Sequence, residues 1–116
     1  MIDRLRSRLD DILDAIDQID LLLRERTFET LLNDRQARAA YERFLEIISE
    51  ASRHIPADWK QSEPEAPWRK IADIGNHLRH AYFNLDPTVL WDIHQKGELV
   101  RFRAVIVKLL KRTPSR

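Results

Sequence analysis

The sequence predicts an all-α protein, a bundle of four to five helices running up and down. Three observations carry that reading. Apolar residues recur at steps of three and four along most of the chain, the spacing of one face of a helix. Only two glycines, Gly75 and Gly97, occur in 116 residues, too few for the turns of a barrel or sandwich. Charged residues make up 34% and apolar residues 43%, which suits long helices with solvated outer faces and rules out a chain disordered by composition. The length is that of one domain. Residues 1–116 are therefore read as a single helical domain, able to bury roughly 65% of its unfolded surface around one core.

The first helix is written by Ile2, Leu5, Leu9, Ile12, Leu13, Ile16, Ile19 and Leu23, one apolar stripe over about six turns. Asp10, Asp14 and Asp17 lie off that stripe and read as a solvated face. Thr27 to Asp34 is a hinge or short turn in which both terminal residues can serve as N-caps. Ala37, Ala40, Tyr41, Phe44, Ile48, Ala51 and Ile55 form the stripe of the next helix, which is expected to end at Ile55-Pro56 because proline disfavours the helical region for its predecessor. Residues 56–67 hold Pro56, Pro64 and Pro67 and read as a polar connection. Pro67-Trp68 opens the third helix, expected to run to about Phe83. Asp86-Pro87 opens the fourth as N-cap and first helical residue, and Gly97 breaks it. Leu99, Phe102, Val105, Ile106, Leu109 and Leu110 belong to the last helix, and the basic tail of Lys108, Lys111, Arg112 and Arg116 is expected to fray.

Composition also excludes chemistry. With no cysteine, neither disulfides nor thiolate-ligated metals are available. With no two glycines close together, a glycine-rich phosphate loop is absent. The amino terminus leads straight into a charged amphipathic pattern, and no stretch approaches the ~20 apolar residues of a membrane span. A cytoplasmic protein with no membrane association is expected. Residues 1–58 carry a net −4 and residues 59–116 a net +5, so the second half could meet an anionic partner, or the halves could neutralise each other.

Residues 68–94 stand apart, holding three of the four histidines and two of the three tryptophans. On the third helix, Ile71, Ile74, Leu78, Ala81 and Leu85 define the core side, while Arg69, Asn76, Arg79, His80 and Phe83 fall on the other. An aromatic on a water-facing surface suggests a second contact surface. Asn76 and His80 are an i,i+4 pair, and Arg79 lies one step around. Histidine can move protons near neutral pH, and arginine can hold a phosphate and stabilise developing negative charge. An ordinary polar helix face is the alternative on spacing alone. A metal site of three histidines drawn from His54, His77 and His94 has no nearby carboxylate spacing to support it, and Trp68 and Trp91 read as packing at the ends of the core, with stacking on RNA the rarer alternative.

The run from Gly75 to Phe83, followed by Asp86 and by Val89-Leu90-Trp91-Asp92-Ile93, resembles the signature of the HepT-like proteins of the HEPN superfamily. That signature is an arginine, often followed by asparagine, then a spacer, a histidine, one residue and a tyrosine, with a Trp-Ile pair downstream. The long first helix, the turn from Thr27 to Asp34, Tyr41 on the second helix and the Trp68-Arg69-Lys70-Ile71-Ala72 opening extend the resemblance over most of the chain.

The resemblance implies a homodimer in which two motif helices meet in a positively charged cleft. It implies a metal-independent ribonuclease with no cofactor, acting on cellular RNA such as tRNA or mRNA. It further implies a toxin of a toxin–antitoxin pair, silenced by a minimal nucleotidyltransferase antitoxin. Carried over by position, His80 is the catalytic histidine, Asn76 the motif's polar residue and Tyr82 the tyrosine that receives AMP. Arg69 and Phe83 are candidates for contacting RNA. One departure stands out: the position of the family's arginine is Gly75. Arg79, beside His80, is the residue that could take its place, with Arg69 a more distant second. If neither does, the chain is expected to be a non-enzymatic helical adaptor for its partner, and Gly75→Arg is then expected to gain activity. A third reading is a regulatory module that binds AMP or ATP noncovalently.

Overall fold

The computed structural model describes residues 2–80 and 86–113. Its described elements are seven helices: α1 (Ile2–Leu23), α2 (Phe28–Leu32), α3 (Arg35–Ser52), α4 (Ala57–Gln61), α5 (Trp68–His80), α6 (Pro87–Gln95) and α7 (Glu98–Arg112). The five long elements are those the apolar stripes predict. The other two, α2 and α4, are single turns inside the segments expected to be a hinge and a connection.

Local chemistry sets the boundaries. Thr27 caps α2 by accepting from the Thr30 backbone N–H, and Thr30 returns the bond to the Thr27 backbone N–H. Asp34 caps α3 by accepting from Ala37 N at 3.0 Å. That bond, first among several causes, holds the Asp34 carboxyl below its ordinary value. Asp86 caps α6 by accepting from Thr88 N at 2.9 Å, with Pro87 in the first turn. Gly97 separates α6 from α7 at φ 71°, a left-handed conformation that glycine adopts without steric cost. The end of α3 differs from expectation. Regular helix stops at Ser52, three residues before Ile55, and residues 53–55 continue as turns.

α1 and α3 pack against each other at the centre, with α7 on α1 and α5 on α3. Leu9, Ile12 and Ile19 of α1, Tyr41 and Ile48 of α3, and Phe102, Ile106 and Leu109 of α7 are all but completely buried. Burial of such side chains contributes roughly 1.5–3 kcal/mol each before conformational entropy is subtracted. Leu45, outside the predicted stripe, is buried, while Phe44 is only partly so. The Tyr41 hydroxyl donates to Leu90 O at 2.6 Å, which satisfies it inside the core and ties α3 to α6. Trp68 meets Phe102 edge-on at 5.2 Å, and Trp91 meets Phe28 at 6.3 Å, so both indoles pack at the margins of the core as expected. Of the aspartates on α1, Asp17 is more than solvated: it accepts from Arg103 Nε at 2.8 Å and pins α7.

The basic end of α7 is fastened through Arg112. The Arg112 guanidinium lies 4.0 Å from the centre of the Trp59 ring and donates to Ser62 Oγ at 2.9 Å. Lys108 pairs with the buried Glu63 at 3.2 Å. The expectation of fraying is thus corrected up to Arg112; Arg116 lies outside the described residues. No helix among the described residues is long and apolar enough to cross a membrane.

Candidate active site

α5 lies on α3 because Ile71 and Ile74 turn inward and because Gly75 has no side chain. A Cβ on residue 75 would stand 1.9 Å from Ser49 Oγ and 2.5 Å from Ser49 Cβ. Two helix backbones therefore approach at this point as closely as a glycine and a serine permit. Ser49 is fully buried there. Gly75 is a packing residue: any Cβ at this position, that of an arginine included, requires α3 or α5 to shift.

The space beside Gly75 is taken by the guanidinium of Arg79, one turn later. Arg79 Nη1 lies 3.2 Å from the place a Cβ on residue 75 would occupy. Its Nη2 donates to Asn76 Oδ1 at 2.6 Å. Its Nη1 lies 3.9 Å from Glu50 Oε2 of α3. The guanidinium is held along its own helix by an amide and across the helix pair by a carboxylate. Arg79 therefore folds back along α5 towards α3, where the helical projection had placed it with the water-facing residues.

Asn76, His77 and His80 are exposed. Asn76 and His80 are one turn apart on α5, which puts their side chains side by side. An amide-oriented guanidinium and an imidazole thus share one end of one helix. That pairing can bind a phosphate, stabilise added negative charge on it and move a proton. Arg69 is also exposed, but it is in the first turn of α5, roughly 15 Å along the axis from Arg79. The structure does not bring it to His80. Tyr82 and Phe83, together with Ala81 and Leu85, lie outside the described residues.

Arg79 also lines a groove of about 330 Å³ between α1, α3 and α5. Arg8 and Asp11 come from α1, and Arg43, Glu46 and Glu50 from α3, so both signs of charge line its walls. Among the described residues no three His, Asp or Glu side chains converge as metal ligands do. The residue that reading by helix faces missed is Glu50. Its i,i+3 and i,i+4 spacing to Arg53 and His54 is visible in the sequence; its contact with α5 is not.

The profile of the HepT-like ribonucleases matches residues 12–109. "Probable ribonuclease HepT" of Thermococcus cleftensis is 48% identical over 83 residues, 72% of this chain and 76% of its own. A Methanocaldococcus jannaschii protein named as a candidate RNase is 34% identical over 88 residues, 76% of this chain and 73% of its own. A second candidate RNase of that organism is 29% identical over 107 residues, 92% of this chain and 88% of its own. No solved structure matches the chain.

Proposed function

The chain belongs to the HepT-like ribonuclease family of the HEPN superfamily, and from that premise we propose that it is an RNA-cleaving toxin whose reaction centre is built from His80, Arg79 and Asn76. The observation that carries the proposal is the Arg79 guanidinium, folded back over Gly75 and locked to Asn76 at 2.6 Å. The family's motif asks for an arginine one residue before the asparagine. Here a shortened residue 75 and a lengthened reach from residue 79 bring a guanidinium to the same stretch of helix.

In this reading an RNA 2′-hydroxyl attacks the adjacent phosphorus. The new O2′–P bond forms as the P–O5′ bond breaks, leaving a 2′,3′-cyclic phosphate and a 5′-hydroxyl. The 2′-hydroxyl loses a proton and the departing O5′ gains one; His80 carries one of these transfers and water the other. Arg79 stabilises the charge that builds on the non-bridging oxygens, and Asn76 keeps its guanidinium pointed at them. Proton transfer is supplied by His80 and water and charge stabilisation by Arg79, so the reaction is proposed to be independent of metal and to persist in a chelator. Two copies of the chain pair through the exposed face of α5, which places two such centres in one cleft. The RNA is a cellular tRNA or mRNA, and the setting is the cytoplasm.

The partner is a minimal nucleotidyltransferase antitoxin that transfers AMP from ATP to the Tyr82 hydroxyl, releasing pyrophosphate. Tyr82 is two residues beyond His80. An AMP there adds a bulky anion that competes with RNA phosphate for Arg79. Intact mass spectrometry after co-expression with such a nucleotidyltransferase tests this directly. The wild type is expected to gain one or more AMP units and Tyr82→Phe none. Absence of any gain on the wild type overturns silencing by AMP and leaves neutralisation by complex formation, or the adaptor reading.

A further inference from the structure

Glu50 of α3 is the meeting point of three nitrogen-bearing side chains, two from the turn that ends α3 and one from α5. Its Oε2 lies 3.3 Å from Arg53 Nη1 and 3.9 Å from Arg79 Nη1, and its Oε1 lies 3.3 Å from His54 Nε2. One negative charge thus faces two guanidinium groups and an imidazole, which leaves the cluster positive. Arg53 and His54 follow directly on the last turn of α3, where positive charge also complements the helix dipole. The His54 hydrogen bond first, then the two arginines, hold the Glu50 carboxyl below its ordinary range, so it is ionised at neutral pH. All four side chains reach solvent: 51% of Glu50, 55% of Arg53, 47% of His54 and 26% of Arg79 is exposed. Pairs this open are weak and exchange with other ions.

We propose that Arg53 and His54, beside Arg79, form a phosphate-binding subsite for a phosphodiester flanking the one that Arg79 holds for cleavage, and that Glu50 fills it in the free protein. A phosphodiester carries the same single charge as a carboxylate and the same pair of acceptor oxygens. It can therefore take over the same donors without rearranging them. Glu50, half exposed, has water to move into. The subsite rests on the ribonuclease reading, and it extends the RNA contact from α5 onto α3. It also gives a role to His54, which the helix-by-helix reading left without one.

The test is binding of a labelled 2′-O-methyl oligoribonucleotide, which has no 2′-hydroxyl to attack and stays intact, followed by fluorescence anisotropy at several salt concentrations. Inorganic phosphate is run as a competitor. Glu50→Gln is expected to bind about three- to tenfold more tightly than wild type, and Arg53→Ala and His54→Ala about three- to tenfold more weakly. Arg53→Ala is expected to reduce the slope of log affinity against log salt by about 0.7, the value for one contact to a single strand. Inorganic phosphate at millimolar concentration is expected to leave the strand bound; its displacing the strand would mark a site for free phosphate and overturn the proposal. So would Glu50→Gln binding no tighter than wild type, or Arg53→Ala and His54→Ala binding as wild type does. Circular dichroism melts that match wild type establish that these surface variants are folded. The probe cannot be cleaved, so these outcomes leave the ribonuclease reading standing; that reading fails separately, if wild type and His80→Ala degrade unmodified RNA equally.

Discussion

His80→Ala is expected to lose RNA cleavage by roughly 10²–10⁴-fold, the usual worth of a positioned general acid or base, while its melting temperature stays that of wild type. Both halves follow from position. His80 is exposed at the last turn of α5 and contributes nothing to the core, so truncation removes chemistry and leaves packing alone. If two centres share a cleft in a dimer, mixing His80→Ala with wild-type chains gives activity that tracks the wild-type fraction. The loss falls on kcat, because the histidine acts on the proton in transit more than on the bound strand. Equal rates for His80→Ala and wild type on the same RNA would remove His80 from the reaction.

The second large effect is on stability. In an exposed helix Gly→Ala stabilises by about 1 kcal/mol through propensity. At residue 75 the opposite is expected, because the new Cβ meets Ser49 Oγ at 1.9 Å and Ser49 Cβ at 2.5 Å. The hydroxyl can rotate away; the Ser49 Cβ is fixed to the α3 backbone and cannot. The helices must separate, and overpacking of this kind costs about 1–3 kcal/mol. For a chain of this length that lowers the melting temperature by roughly 5–20 °C. Gly75→Arg meets the same wall and also displaces the Arg79 guanidinium, so it is expected to lose both stability and activity. Ser49→Gly in the background of Gly75→Ala is expected to restore most of the loss, and Ser49→Ala little of it, since alanine keeps the Cβ. Thermal melts of these variants check the contact. A Gly75→Ala protein as stable as wild type would contradict the close approach of α3 and α5.

Residue 75 also shows where reading a sequence stops. The stripe on α1, the caps at Thr27, Asp34 and Asp86, the break at Gly97 and the polar, histidine-bearing face of α5 are all local: spacing and side-chain chemistry within a few residues decide them. Gly75 looks from the sequence like a missing arginine. It is a helix–helix contact, and nothing near it in the chain says that Ser49 lies opposite. The same is true of Arg79, whose reach to Glu50 depends on how α5 is laid on α3. Leu45 taking the place of Phe44 in the core is a small shift in the angle of one helix, below what periodicity resolves. The order of the basic tail up to Arg112 is hidden from the sequence for a similar reason, since Arg112 is held by Trp59 from the distant connection between α3 and α5.

Arg79, one turn beyond Gly75, is proposed to supply the guanidinium that stabilises charge on the cleaved phosphate. Steady-state cleavage of single-stranded RNA by wild type, Arg79→Ala and Arg79→Lys, with Arg69→Ala beside them, tests it most directly. Arg79→Ala is expected to lose about 10²–10³-fold in kcat/KM, as when a charge-stabilising donor is removed. Arg79→Lys, whose ammonium cannot bind Asn76 and phosphate in the same planar way, is expected to recover only part of the rate, and Arg69→Ala to stay near wild type. Wild-type cleavage by Arg79→Ala would remove this guanidinium from the reaction.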